Sequence, residues 1–145
     1  MAKALIVEDS STDAYRALKI LEDFFADAKV TNSPENFFDL VESFQPDVIF
    51  MDVIFDSDSK GNGFKLTRDL RSSKSAFKDV PVIMLSGKSL AVDIEWAKRC
   101  GGSAYIVKPI TTMETARALK SVIAPDQMRQ LFAGSNFLSK EPANQ

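Results

Sequence analysis

The sequence predicts a single α/β domain in which a parallel sheet is wrapped by crossover helices, and three observations lead there. Short apolar runs, from four residues (Ala4–Val7) to six (Val80–Leu85), alternate with longer segments of helical period. None of the runs is long enough for an independent helix. Their apolar continuity suits strands buried on both faces. The 145 residues, 45% hydrophobic and 26% charged, supply one core and are too few for two ordinary domains.

The first strand is expected over Ala4–Val7. Ser10 and Asp13 then form a capping pair for a first helix that carries Ala14, Leu18, Leu21 and Phe25 on one face. After a second strand at Ala28–Thr31, Ser33-Pro34 provides the cap and first-turn residues of a second helix. Its apolar positions include Phe37, Leu40 and Val41, and it ends before Pro46. The third strand is Val48–Met51, followed by a helix from about Gly63 to Arg71. The fourth strand is Val80–Leu85, and its helix starts near Ser89 and stops at Gly101-Gly102. The fifth strand is Ala104–Val107, with Thr111 and Glu114 as a capping box for the last helix. Pro125 breaks that helix, residues 126–132 suit one more short helix, and residues 134–145 read as a mobile polar tail. The expected organisation is one domain over 1–124 and a C-terminal extension over 125–145 that has no room for a second effector domain.

Eighteen basic residues against twenty acidic ones, with no basic block, argue against nucleic-acid binding. The absence of histidine removes the usual acid-base residue, so chemistry falls to carboxylates, hydroxyls and lysines. The lone Cys100 forms no internal disulfide and reads as a small buried hydrophobe. The start of the chain lacks the apolar run of a secretory signal, and no stretch suits a membrane span, so a cytoplasmic location is expected.

Right-handed crossovers put helices on both faces of such a sheet and ligand chemistry beyond the carboxyl ends of its strands. Glu8 and Asp9 follow the first strand, Asp52 ends the third, Ser86 follows the fourth and Lys108 the fifth, so all five project to one end. Three carboxylates at about 5 Å in an effective dielectric near 20 repel by roughly 3 kcal/mol per pair. Mg²⁺ is the natural counter-ion, since it takes oxygen ligands and binds one or two carboxylates together with a phosphate. Lys108 adds a point charge opposite Asp52, suited to a transferred phosphoryl group. A carboxylate beside Mg²⁺ can attack an activated phosphorus and become an acyl phosphate, and Asp52 fits that role with the Ser86 hydroxyl at hand. Ile54 and Lys88 flank the site and are placed to tune water access to it.

In combination these residues resemble response regulator receiver domains over roughly Lys3–Ile123. LIVEDS (Leu5–Ser10) resembles the family's acidic pair, PDVIFMD (Pro46–Asp52) its phosphoacceptor strand, PVIMLSG (Pro81–Gly87) its switch hydroxyl and YIVKP (Tyr105–Pro109) its lysine-proline. The resemblance implies a flavodoxin-like, doubly wound sheet of five parallel strands in the order 2-1-3-4-5, with five helices. It implies Mg²⁺, with Mn²⁺ as substitute, held by Glu8, Asp9, Asp52 and the backbone carbonyl of Ile54, and a cis Lys108-Pro109 bond. It implies a phosphoryl group delivered to Asp52 by a sensor histidine kinase or phosphotransfer protein. Ser86 and Tyr105 then form the switch that remodels the face of helix four, strand five and helix five for a downstream protein. Glu95–Arg99 looks similar to stand-alone receivers of chemotaxis and twitching motility systems; Trp96, Lys98 and Arg99 suit an output surface, and helix-face packing and solvation explain them nearly as well.

Two features depart from the family pattern. Glu8 stands where Asp is commoner, and the loop Phe55–Gly63, with Asp56 and Asp58, is longer and more acidic. That loop favours an alternative, a pseudo-receiver that binds without phosphorylation, whereas the intact set of Glu8, Asp9, Asp52, Ser86 and Lys108 opposes it. A haloacid-dehalogenase-like phosphatase needs a second Asp two residues after its nucleophile, where this chain has Ile54.

Overall fold

The computed structural model describes residues 2–53, 63–87, 91–124 and 126. The strands are β1 (Lys3–Val7), β2 (Asp27–Thr31), β3 (Val48–Asp52), β4 (Val82–Ser86) and β5 (Ala104–Val107). The helices are α1 (Ser11–Leu21), α2 (Phe37–Phe44), α3 (Gly63–Arg71), α4 (Ala91–Arg99) and α5 (Thr112–Val122). All four strand pairings are parallel, and the order is β2-β1-β3-β4-β5. The flavodoxin-like arrangement expected from the sequence is the one observed.

Strand alternation sorts the core into two layers. Ala4, Ile6, Val48, Phe50, Ile83, Leu85 and Ile106 face α1 and α5, packing on Ala17, Leu21, Ala118 and Leu119. Leu5, Val7, Ile49, Met51, Val82 and Met84 face the other way, onto Phe37 and Val41 of α2, Leu66 and Leu70 of α3 and Ala97 of α4. Every residue of β3 and β4 is buried, which is why these central strands read as unbroken apolar runs. The edge strands β2 and β5 are partly exposed.

Several boundaries differ from the sequence reading for local reasons. Pro81 has no N–H to donate, and β4 begins at Val82, with Val80 held instead by a turn bond to the Phe77 carbonyl. Phe25 lies beyond α1, which ends at Leu21; it is buried nonetheless, edge-on to the Phe50 ring at 6.2 Å. Ser33 gives no side-chain cap: Pro34–Asn36 make a 3₁₀ turn before α2, and Gln45 closes α2 in the left-handed region at φ 57°. Thr111 Oγ1 accepts from the Glu114 N–H at 3.1 Å, but the Glu114 carboxylate pairs with Arg117 at 2.6 Å, leaving a half-box. Gly101, at φ 101°, follows α4, and a side chain there would meet Arg71. Ser89 and the extension expected over 125–145, apart from Asp126, lie outside the described residues. Among the described residues no helix is long and apolar enough to cross a membrane.

Candidate acidic site at the strand ends

Alternation continues past the strand ends and explains who meets whom. Ile6, Phe50 and Ile106 face α1 and α5, so two residues further on Glu8, Asp52 and Lys108 lean to the same side. Val7 pairs with Met51 in the β1–β3 register, which sets Glu8 beside Asp52. Glu8 is held by its backbone N–H on the Thr31 carbonyl at 3.0 Å, and Asp52 is in register with Leu85. Lys108 donates its backbone N–H to the Ser86 carbonyl at 2.7 Å, directly before the cis Lys108-Pro109 bond.

The Lys108 ammonium is the electrostatic hub. It lies 2.6 Å from Glu8 Oε1, 3.0 Å from Asp13 Oδ2 and 3.2 Å from Asp52 Oδ1. Burial works against its charge, but the bonds to Glu8 and Asp13 and the charges of Asp52 and Glu8 outweigh it and raise its pKa. It is protonated at any physiological pH. One ammonium does not neutralise four carboxylates. Burial pushes the Glu8 carboxyl up from 4.5 to about 7, with Lys108 opposing and the adjacent Asp52 adding to the rise. Glu8 is 1% exposed and Asp52 4%, so neither carboxylate is relieved by bulk water.

Glu8, Asp9 and Asp52 each offer an oxygen within 4.8 Å of the others. Glu8 Oε1 is buried, and its close partner among the described residues is the Lys108 ammonium at 2.6 Å, a cation it shares with Asp13 and Asp52. Three clustered carboxylates, two of them buried, form an all-oxygen donor set that fits a hard divalent cation of the Mg²⁺ type. Gly63 closes the site from α3: its N–H donates to the Val53 carbonyl at 2.7 Å, and any side chain there would overlap the Asp52 carbonyl and Met51.

Ser86, 4% exposed, shares the strand parity of Val82 and Met84, opposite to that of Asp52's neighbours Ile83 and Leu85. Tyr105 packs on that same layer, opposite Met84 in the β4–β5 register, with Ser86 opposite Val107. Five of the sequence-predicted residues (Glu8, Asp9, Asp52, Ser86 and Lys108) therefore gather at one sheet end. Ile54, Asp56, Asp58 and Lys88 lie outside the described residues. Cys100 is buried, donates its thiol to the Ala97 carbonyl at 3.1 Å, and burial pushes its pKa up, as befits a packed small hydrophobe. Trp96 is 53% exposed beside Arg99, outside the acidic site.

Asp13 was the residue that sequence reasoning passed over. Counted there as half of a cap, it caps only through its backbone N–H, which donates to Ser10 Oγ at 3.3 Å, and its carboxylate turns to Lys108. The signal was available in the strand parity, which aims Lys108 at the face that α1 covers.

A family model described as the response regulator receiver domain matches residues 4–120. Protein PilH of Pseudomonas aeruginosa is 30% identical over 124 residues, spanning 86% of this chain and 99% of its own length. Protein PilG of the same organism is 28% identical over 119 residues, 82% of this chain and 85% of its own. Among solved structures, chemotaxis protein CheY4 of Vibrio cholerae superposes with a TM-score of 0.74 at 24% identity, covering 85% of this chain and 99% of that one, a likeness of fold.

Proposed function

Since the chain belongs to the response regulator receiver domain family, we propose that it is a phosphorylation-switched receiver, residues 1–124, whose acceptor is Asp52 and whose donor is a sensor histidine kinase or a phosphotransfer protein. The observation that carries this reading is the Lys108 ammonium, 3.2 Å from Asp52 Oδ1 and brought there from a different strand. Acids alone suit a cation; acids with a buried ammonium aimed at one of them suit a phosphoryl group.

In this reading an Asp52 oxygen attacks the phosphorus of a phosphohistidine. A P–O bond forms as the P–N bond breaks, and the departing imidazole keeps the electron pair and takes a proton. Lys108 and the Ser86 hydroxyl hold phosphoryl oxygens, so the protein contributes position and charge rather than a general base. Glu8, Asp9 and Asp52, with the Ile54 carbonyl that the resemblance implies, would hold Mg²⁺ or Mn²⁺, which would supply positive charge against the same oxygens. Output is assigned to the α4–β5–α5 face, where Ile94, Lys98, Tyr105, Val107 and Arg117 line a shallow cleft. Ser86 and Tyr105 share one side of the sheet, so a hydroxyl drawn to the phosphoryl group leaves room for the ring to follow.

The test is intact mass after incubation with Mg²⁺ and a small acyl phosphate, for the wild-type chain and for Asp52→Asn. A gain of one phosphoryl group that Asp52→Asn abolishes is expected. No such gain overturns the reading in favour of a pseudo-receiver that binds without phosphorylation.

A further inference from the structure

The Lys108 ammonium is shared among Glu8 at 2.6 Å, Asp13 at 3.0 Å and Asp52 at 3.2 Å, so Asp13 holds it more closely than the Asp52 oxygen does. Asp13 belongs to α1, not to a strand end, and lies outside the set of oxygens clustered within 4.8 Å. It is thus the carboxylate on Lys108 that a cation at Glu8, Asp9 and Asp52 leaves in place. Its side chain is spare for this purpose, because the helix cap uses only its backbone N–H.

Resting on the reading of Asp52 as phosphoacceptor, we infer that Asp13 is a positioning residue that holds Lys108 back toward α1 and so slows phosphoryl transfer to Asp52. Two effects act in the same direction. With a cation on Glu8, a lysine that binds a phosphoryl oxygen must still loosen its hydrogen bond to Asp13, and a fixed negative charge near the site repels an anionic donor. The two contacts on Lys108 put Asp13 within reach of the phosphoryl position, while the 38% exposure of its side chain weakens the field by solvent screening. A change of about three- to tenfold in rate is the scale this predicts. Neutralising Asp13 leaves the Lys108 ammonium itself in the site, on the strand end that brings it to 3.2 Å from Asp52.

The experiment compares wild type, Asp13→Asn, Asp13→Ala and Asp13→Glu at saturating Mg²⁺, following Asp52 phosphorylation by a small acyl phosphate through intact mass against time. In this reaction an Asp52 oxygen displaces a carboxylate from the donor phosphorus, and the carboxylate leaves with the electron pair. Asp13→Asn and Asp13→Ala are expected to react about threefold faster or more, and Asp13→Glu to return the rate toward wild type. A damaged fold slows the reaction, so acceleration separates positioning from structure. Asp52-dependent phosphorylation with both neutral variants no faster than wild type overturns this inference alone. Absence of Asp52-dependent phosphorylation in every chain overturns the underlying reading and this inference with it.

Discussion

Replacing Glu8 by Gln tests the electrostatics of the site without invoking phosphorylation. Glu8 is 1% exposed, and burial with Asp52 alongside moves its carboxyl from 4.5 to about 7 in the absence of metal. The unfolded chain releases this proton near 4.5 and the folded chain holds it to about 7, so between these values the unfolded state binds fewer protons. Stability contributed by Glu8 is therefore complete below 4.5 and falls as pH rises through this window. At about 1.4 kcal/mol per pH unit, the loss above pH 7 amounts to roughly 3 kcal/mol, an upper figure because Glu8 and Lys108 share one titration. Glu8→Gln resembles the protonated acid, so it should match wild type near pH 5 and exceed it by about 1–3 kcal/mol at pH 8 in chelator. Urea unfolding followed by far-ultraviolet circular dichroism at the two pH values measures both differences. Added Mg²⁺ at about a hundred times its Kd should stabilise wild type by about 2.7 kcal/mol at pH 8 and the variant less. A difference between variant and wild type that is the same at pH 5 and pH 8 refutes the assignment of a buried, proton-holding Glu8.

Two further substitutions probe how the scaffold holds the site. Gly63→Ala places a methyl group against the Asp52 carbonyl and Met51, so α3 must shift; a loss of about 1–3 kcal/mol in urea unfolding is expected, with weaker Mg²⁺ binding by calorimetry. Wild-type values for both measurements would show that the approach of α3 to Asp52 is not tight. Thr111→Ala removes the hydroxyl that accepts the Glu114 N–H at 3.1 Å, and about 1 kcal/mol, seen as a thermal midpoint lower by roughly 3–6 °C, is the expected cost. An unchanged midpoint would mean that water caps α5 equally well.

Much of this fold was legible because β3 and β4 are buried on both faces, and a strand so placed writes itself as a continuous apolar run. Edge strands were harder to bound. Asp27 and Lys3 join the ladder as partners across β1 and β2, yet nothing apolar marks either as a strand residue. Helix ends were legible where a side chain caps them, at Ser10 and Thr111, and misjudged where tertiary packing decides, as with Phe25, whose burial against Phe50 mimics one more turn of α1. Glu8, Asp52 and Lys108 could be found because each ends or directly follows a strand, which converts sequence position into spatial position. Asp13 follows no strand. Its role depends on the direction of the Lys108 side chain, which is a tertiary fact.

The same architecture that makes the site legible makes it unstable by itself. Two apolar layers clamp β1 and β3 side by side, so Glu8 and Asp52 have no freedom to separate when both ionise. In a flexible loop such acids would turn to water; here the rigidity of the sheet converts their repulsion into affinity for positive charge. Lys108 meets part of that demand, sharing one positive charge among Glu8, Asp13 and Asp52. A divalent cation entering this site meets ligands whose alignment cost was already met in folding, so its binding and the stability of the domain are one linked equilibrium. Asp13 sits outside the clamp, on a helix at 38% side-chain exposure and 3.0 Å from the Lys108 ammonium, so in the proposed role it acts on Lys108 rather than on the clamped acids. Substitutions at Glu8 should accordingly move stability and metal affinity together, whereas substitutions at Asp13 should move the reaction rate with little change in either. Coupled changes in all three at Asp13 would place it within the clamped set and remove the distinction.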